Sequence, residues 1–221
     1  MKTSLSESKK KKNLPAAQRQ EVLLKAASEV FLEKGYAATS LDDIIGRAGG
    51  SRRSIYAQFG GKEGLFNALV TKIASQALAP MRQEIDKETD LREALFAYAE
   101  SILSALFTPT VLDLSRLALA DGARFPDLAK VYFASGPGSA VESLTRLLEA
   151  AKNRGEIQCL RCDITASQFV GALRDNLYLQ VLLRLRPAPE QEERAALVTS
   201  VVEIFLHGIL TARPKPQPMV M

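Results

Sequence analysis

Apolar residues recur every three or four positions over most of the chain, and short polar or glycine-rich breaks separate these stretches. This spacing is typical of amphipathic helices, because 3.6 residues make one helical turn. The clearest apolar stripe runs from Val22 to Phe31, and Gly35 stands where that helix would end. Alternating runs and hairpin turn pairs, which are typical of strands, are nearly absent. The sequence therefore predicts an all-α protein.

Two short helices and a tight turn are predicted at residues 40–59. Ser40, followed by Asp43 three residues later, has the spacing of a capping box, which opens the first short helix. A glycine pair ends that helix, and Ser51 caps the second one. Another glycine pair separates the second helix from a longer amphipathic helix that begins at Lys62. This length and layout are those of a helix-turn-helix.

The chain beyond Pro80 continues in the same helical pattern. Helices are expected at 91–107, 110–121, 126–135, 138–154, 165–186 and 190–211. The last two are apolar over more than one face, so most of their surface must be buried. Either both lie in the core of one protomer, or they form a four-helix interface with a second copy. The second alternative predicts a dimer interface at Leu173, Leu177, Val181, Val198, Val201, Val202, Phe205 and Ile209.

The composition is that of an ordinary globular protein, with 221 residues of which 47% are hydrophobic and 24% are charged. The longest charge-free stretch has 12 residues, from Ser101 to Leu112, and a membrane-spanning helix needs roughly 20. No apolar stretch follows the basic start, so no secretory signal is expected. Together with a content of only two cysteines, these features favour a reducing, cytoplasmic location.

Basic residues are concentrated in the first third of the chain. Residues 1–70 hold 12 Lys and Arg against 7 Asp and Glu, whereas residues 71–221 hold 17 against 18. This asymmetry is typical of a chain that meets a polyanion at one end. Alternatively, the run from Lys9 to Lys12 is only a solvated lead-in, since without it the first third is barely basic.

The second helix of the predicted motif begins with the run Ser51 to Ser54, which includes Arg52 and Arg53. A helix-turn-helix places the first residues of this helix against base edges in the major groove of DNA. Arginine bonds both O6 and N7 of guanine, and hydroxyl, amide or ammonium groups bond phosphates. The chemistry predicts DNA contacts at Ser40, Ser51, Arg52, Arg53, Ser54, Tyr56, Gln58 and Lys62. The alternative is an αα corner with an exposed arginine pair.

Residues from Arg19 to Leu65 resemble the DNA-binding domain of TetR-family transcriptional repressors. The resemblance is carried by Ala26-Ala27, Phe31, Gly35-Tyr36, Thr39-Ser40, Ala48-Gly49, Ser51, Ile55-Tyr56, Phe59 and Lys62-Glu63. It implies that Thr39 or Ser40 contacts DNA, together with Ser51 to Ser54, Tyr56, Gln58 and Lys62. A second segment, from Leu114 to Asp163, is similar to the C-terminal domain of AefR-like members of the family.

These patterns predict a flexible basic arm at 1–15, a helix-turn-helix DNA-binding domain at 16–76, a helical regulatory and dimerisation domain at 77–212 and a flexible tail at 213–221. The resemblance implies a homodimeric repressor on a pseudo-palindromic operator of double-stranded DNA. It also implies release by a small apolar or amphipathic ligand that binds among the C-terminal helices. Candidate ligand-binding residues are Tyr98, Leu106, Phe107, Leu117, Phe133, Phe169, Asn176 and Tyr178. The alternative for each of them is an ordinary core residue.

No pattern for catalysis or for a cofactor accompanies the motif. His207 is the only histidine, and the sequence has no nucleophile–base pair, metal-ligand spacing or phosphate-binding loop. We therefore expect no enzyme activity, no cofactor and no metal. An enzyme and a helical scaffold that binds only proteins are the disfavoured alternatives. Cys159 and Cys162 form a lone C-x-x-C pair, which is either a redox pair or an ordinary loop.

Overall fold

The computed structural model describes residues 15–77, 79 and 90–209 of the chain. These residues form helices and include no β-strand, so the predicted all-α class is confirmed. Residues 1–14 of the predicted basic arm and the whole predicted tail at 213–221 lie outside the described residues. The side chain of Ile209 also lies outside them.

Outside the predicted helix at 165–186, the helices follow the predicted pattern. Numbered in chain order, they are α1 (Ala16–Ala38), α2 (Leu41–Ala48), α3 (Arg52–Phe59), α4 (Lys62–Ala77), α5 (Leu91–Leu106), α6 (Pro109–Asp121), α7 (Pro126–Phe133), α8 (Ser139–Asn153), α9 (Cys162–Leu173), α10 (Asn176–Leu182) and α11 (Gln191–Ile209). Within the described ranges, no single helix is both long and apolar enough to cross a membrane. Helices α5 and α6 reach that length only when they are joined across the break between them.

The single helix predicted at 165–186 is wrong, because the structure breaks it into α9 and α10. Arg174 leaves the helical region with φ −102° and ψ 43°. Asp175 then caps α10, since its carboxylate accepts a hydrogen bond from the Leu177 N–H at 2.8 Å. Aspartate is a favoured N-cap residue but a poor helix former. The apolar pattern continues across the break and therefore gives no sign of it.

Contacts between helices divide the chain into two compact units. The first unit joins the described part of Met1–Gln76 to Pro109–Gly136, so α6 and α7 belong with α1 to α4. The second unit joins the described parts of Ala77–Thr108 and Pro137–Met221, and it holds α5 and α8 to α11. No local pattern in the sequence predicts that α6 and α7 pack with the first unit. The boundary at residue 76 between a DNA-binding domain and a regulatory domain stays a prediction.

Aromatic rings form the centre of the first unit. The ring centroid of Tyr36 lies 5.4 Å from those of Phe31 and Phe66, and the Phe125 ring packs edge-on against Tyr36 at 4.9 Å. The stripe predicted on α1 faces this core, which buries Leu23, Ala26, Ala27, Val30 and Phe31. Burying each large apolar side chain contributes about 1.5–3 kcal/mol. This core holds α1 in place, α2 packs against α1, and α3 packs against α2.

The second unit has its own core around Phe169. The Phe169 ring lies 4.8 Å from Phe205 and 6.3 Å from Tyr98, measured between centroids. The Tyr98 hydroxyl donates a hydrogen bond to the carbonyl oxygen of Ala140 at 2.6 Å, which ties α5 to the start of α8. Burial raises the pKa of Tyr98, so this hydroxyl stays protonated at neutral pH.

Candidate nucleic-acid interface

The first helix of the motif, α2, begins with the predicted capping box. The Ser40 hydroxyl accepts a hydrogen bond from the Asp43 N–H at 3.2 Å, and the Asp43 carboxylate accepts one from the Ser40 N–H at 2.9 Å. Hydrogen bonds from Lys34 and Ser40 hold the pKa of Asp43 well below its usual range. The carboxylate is therefore ionised at neutral pH and the start of α2 is fixed.

The second helix, α3, follows after a turn that only glycine adopts without strain. Gly49 and Gly50 have φ values of 78° and 106°, in the region that side chains disfavour. Ser51 then caps α3, because its hydroxyl accepts a hydrogen bond from the Ser54 N–H at 3.2 Å. Gly60 ends the helix in the left-handed conformation with φ 77°. The predicted helix–turn–helix geometry at 40–59 is confirmed.

Helix α3 has one buried face and one polar, exposed face. Ile55 is fully buried and anchors the helix to the first unit. Arg52, Arg53, Tyr56 and Gln58, all predicted DNA contacts, are exposed. An exposed polar face on an anchored helix is the geometry that a recognition helix needs. The DNA contacts themselves stay predictions.

The two arginines that begin α3 have different surroundings. The Asp42 carboxylate accepts a hydrogen bond from Arg52 Nε at 2.8 Å, and a second one from Arg52 Nη2. This pairing lowers the pKa of Asp42 and raises that of Arg52, so both are charged at neutral pH. Arg53 has no hydrogen bond or ion pair within the described part of the first unit. Ser54, next along α3, is half-buried and accepts a hydrogen bond from the Gln58 amide at 2.9 Å.

Thr39 and Lys62 make internal contacts that the sequence does not predict. Thr39 is only 3% exposed, and its hydroxyl donates a hydrogen bond to the carbonyl oxygen of Gly35 at 2.7 Å. The Lys62 ammonium donates to the carbonyl oxygens of Tyr36 and Thr39 at 2.9 and 3.0 Å, and it lies 4.5 Å from the centre of the Tyr36 ring. Burial lowers the pKa of Lys62. Both side chains therefore hold the turn between α1 and α2 together.

Asp121 is a further residue of this junction, and sequence reasoning missed it. Its carboxylate, at the end of α6, accepts a hydrogen bond from the Tyr36 N–H at 2.7 Å and a weaker one from the Ala37 N–H at 3.4 Å. The negative charge of Asp121 also raises the pKa of the Lys62 ammonium, which opposes the larger effect of burial. No local signal marks this contact, because 85 residues separate Asp121 from Tyr36.

The predicted ligand-binding residues do not share one packing unit. Leu117 and the exposed Phe133 belong to the first unit, and the other six belong to the second. In the second unit, the buried rings of Phe107 and Tyr178 lie 6.1 Å apart, and Tyr98 and Phe169 belong to the core already described. Leu106 is half-buried and Asn176 is exposed at the first position of α10. The pocket stays a prediction.

Most of the predicted dimer residues lie in the core of their own protomer. Those that the second unit buries are Leu173, Val181, Val198, Val201 and Val202. Leu177 and Phe205 are half-buried, and the Phe205 ring packs on Phe169. The apolar surface that α10, α11 and the turn after α10 leave exposed consists instead of Leu179, Leu183, Leu185 and Ile204. The dimer itself stays a prediction.

Cys159 and Cys162 are both free thiols and both buried. The Cys159 sulfur lies 3.2 Å from the Thr165 hydroxyl. Burial and a hydrogen bond with Cys159 raise the pKa of Cys162 to about 11. Burial limits the access of oxidants to both sulfurs, which favours the ordinary-loop interpretation of this pair over the redox one.

Two family models match the chain. Residues 23–69 match the model described as bacterial regulatory proteins, tetR family. Residues 93–208, more than half of the chain, match the model described as AefR-like transcriptional repressor, C-terminal domain.

Several known proteins are similar to this chain. The HTH-type transcriptional activator FasR of Mycolicibacterium smegmatis is 38% identical over 88 residues, and the match spans 40% of each chain. The structure of the flavonoid-responsive regulator FrrA has a TM-score of 0.77 and 26% identity, and the match covers 90% of this chain and 100% of that one. A TetR-family regulator structure from Mesorhizobium loti has a TM-score of 0.76 and 25% identity, with the same coverage. These proteins are transcriptional regulators rather than enzymes.

Proposed function

Since the chain belongs to the TetR family of transcriptional regulators, we propose that it is a homodimeric repressor that a small molecule releases from its operator. The observation that carries the DNA-binding part is the start of α3. There, two exposed arginines stand on a helix that Ser51 caps and Ile55 anchors. The proposal includes a cytoplasmic location, where bacterial DNA lies.

In the proposed complex, α3 lies in the major groove of the operator. Arg52 and Arg53 face base edges, and Ser51 and Tyr56 bond phosphates on either side. Ser54 and Gln58 bond each other in the free protein, and the Ser54 O–H together with the second N–H and the carbonyl oxygen of the Gln58 amide are left for DNA. Ser40 takes the phosphate contact that the resemblance assigns to Thr39 or Ser40, because Thr39 is buried and Ser40 is exposed at the start of α2.

Lys62 has a double role in this proposal. An ammonium group has three N–H donors, and the carbonyl oxygens of Tyr36 and Thr39 take two of them. The third is left for a phosphate oxygen of the DNA backbone. Such a contact strengthens binding to every sequence alike, because phosphates carry no sequence information.

Selection of bound duplexes from a randomised pool tests the DNA-binding proposal. We expect the wild-type protein to enrich one pseudo-palindromic sequence, and Arg53→Ala to reduce the preference at particular base pairs. Arg146→Ala is the matched control, because Arg146 is also an exposed arginine, paired with Glu142 on α8 of the other unit. Failure of the wild type to enrich any sequence would contradict the proposal, as would equal effects of the two substitutions.

We place the dimer interface on the exposed apolar side chains of α10, of the turn after it and of α11. Leu179, Leu183 and Ile204 form no part of the protomer core, and large apolar side chains that a protomer leaves exposed are candidates for contact with a second copy. A two-fold dimer presents two α3 helices to half-sites about 34–36 Å or more apart, which explains a pseudo-palindromic operator. Sedimentation equilibrium tests this placement. Ile204→Glu should give monomers, whereas Leu119→Glu, at an exposed leucine of the first unit, should leave the wild-type dimer intact.

Release by a ligand is the part of the proposal that rests on relatives. FrrA is described as flavonoid-responsive, and the C-terminal family model is described as that of a repressor. We place the ligand among the apolar helices of the second unit, near Phe107 and Tyr178. Flavonoids and other amphipathic compounds are therefore added to the protein–operator complex. One class should weaken binding by about 5- to 150-fold, the usual range of coupling between two sites.

Whether the protein represses or activates transcription is tested separately, because FasR is described as an activator. A reporter gene is placed behind the selected operator, with and without this protein in the cell. We expect expression to rise when the protein is removed. A fall in expression would identify an activator and would leave the DNA-binding proposal standing.

A further inference from the structure

Asp42 and Arg52 form a paired contact at the surface of the motif. Asp42 is the second residue of α2, and Arg52 is the first residue of α3. Oδ1 of Asp42 accepts a hydrogen bond from Arg52 Nε, and Oδ2 accepts one from Arg52 Nη2. The two side chains are 62% and 64% exposed, and Arg52 begins the helix that the proposed complex places in the major groove. Because the contact joins two helices, it favours one direction of the Arg52 side chain.

The pairing occupies one edge of the guanidinium and leaves another edge free. A guanidinium has five N–H donors, and Asp42 takes one on Nε and one on Nη2. The remaining donors include one N–H on each η nitrogen along the far edge. Two N–H donors on one edge are enough to form two parallel hydrogen bonds with O6 and N7 of guanine. The carboxylate therefore orients Arg52 without blocking its base-reading edge.

We propose that Asp42 is a specificity-determining positioning residue, which holds Arg52 so that its free edge meets a guanine at one position of each half-site. The inference rests on the proposed function, because it requires α3 to lie in the major groove. Arg53 has no partner in the described part of the first unit, so a base preference carried by Arg53 does not depend on Asp42.

A positioning role and a simple charge effect predict different outcomes. An exposed ion pair adds little to stability, so loss of the Asp42 carboxylate leaves the fold intact. If Asp42 only repelled phosphates, its removal would strengthen binding to all DNA sequences by the same factor. If it positions Arg52, its removal weakens the preference for guanine at one base pair and leaves the other positions unchanged.

The test uses the full-length protein and the duplex selected from the randomised pool. Anisotropy gives dissociation constants for this duplex and for its single-base variants. We expect Asp42→Asn to reduce one guanine preference by about fivefold or more, since a bidentate arginine–guanine contact discriminates by about 5- to 150-fold. Arg52→Lys should lose the same preference and keep the salt dependence. In an Arg52→Ala background, Asp42→Asn should cause no further loss, because both substitutions act through one contact.

Glu33→Gln is the matched control, since it changes the charge by the same amount. Glu33 forms its own bidentate pair with Arg47, at 2.7 Å for both hydrogen bonds, on α1 and α2. This variant should keep every base preference of the wild type. An unchanged guanine preference in Asp42→Asn, or a further loss in the Arg52→Ala background, overturns the inference and leaves DNA binding standing. Failure of the wild type to enrich any sequence overturns both.

Discussion

Asp121 is expected to stabilise the first unit by capping a turn that belongs to another helix. Gly35 leaves the helical path with φ 79° and ψ 163°. The N–H groups that follow Gly35 therefore begin a new turn, and the helical turn before Gly35 offers them no acceptor. The Asp121 carboxylate supplies the acceptor for the Tyr36 N–H at 2.7 Å. Tyr36 is only 3% exposed, so the carboxylate shields this N–H from most of the solvent.

The magnitude follows from this geometry. Asp121→Ala removes one charge-assisted hydrogen bond and leaves a buried N–H without an acceptor, which costs about 1.5–3 kcal/mol. The hydrogen bond from the Ala37 N–H is long at 3.4 Å and adds little. A loss of about 2 kcal/mol lowers the melting temperature of a chain of this size by about 4–8 °C. Asp121→Asn keeps an oxygen acceptor without the charge, so it should lose about half as much.

Thermal and urea unfolding at pH 7, followed by circular dichroism, measure this effect. Asp127→Ala is the control, because Asp127 is a carboxylate of the same unit that pairs with Lys130 in an exposed contact, with 78% and 75% of the two side chains accessible. It should leave the melting temperature unchanged. Equal melting temperatures of Asp121→Ala and the wild type would refute the proposed cap. A decrease in melting temperature for Asp127→Ala as large as that for Asp121→Ala would also refute it, since only Asp121 accepts a hydrogen bond from the N–H of a buried residue.

Three further predictions concern the first unit. Ser51→Ala removes the cap that accepts the Ser54 N–H, so urea titration should show a free energy of unfolding lower by about 1 kcal/mol, and an unchanged value would exclude the cap. Lys62→Met deletes the hydrogen bonds to the carbonyl oxygens of Tyr36 and Thr39, and it should cost about 1–3 kcal/mol in the same titration. Anisotropy should show Lys62→Met weakening binding to selected and random DNA by one factor; a loss confined to selected DNA would contradict this. Burial raises the pKa of Tyr36 from 10.0 to about 12, so its contribution to stability is complete below pH 10 and lost as the pH rises through about 12. Urea unfolding of the wild type should therefore lose stability over this range relative to Tyr36→Phe, and parallel curves would exclude the effect.

The motif itself was predictable because its signals are local. Ser40 with Asp43, and Ser51 at the start of α3, are caps that act within three residues, so spacing alone identifies them. The glycine pair between α2 and α3 is also a local signal, because adjacent glycines mark a turn in the sequence. In the structure both residues take positive φ values. Exposure of the arginine pair on α3 follows from the helical period once Ile55 is placed inward.

The contacts between distant elements were not predictable from spacing. Asp121 reaches Tyr36 only because α6 returns to the first unit, and the internal role of Lys62 depends on the path of the chain after Gly35. A single sequence has no periodic pattern that records such contacts. The sequence left open whether Val198 and Val202 lie in a protomer core or in an interface, because an apolar helix has the same composition in both. The structure buries both in the second unit.

The most direct test of the central claim is fluorescence anisotropy on the selected duplex and on a shuffled duplex of the same composition, across a salt series. We expect tighter binding to the selected duplex at every salt concentration. We also expect a steep fall of the association constant with salt for both duplexes, because phosphate contacts are common to both. Equal affinity for the two duplexes would contradict sequence-specific binding through α3.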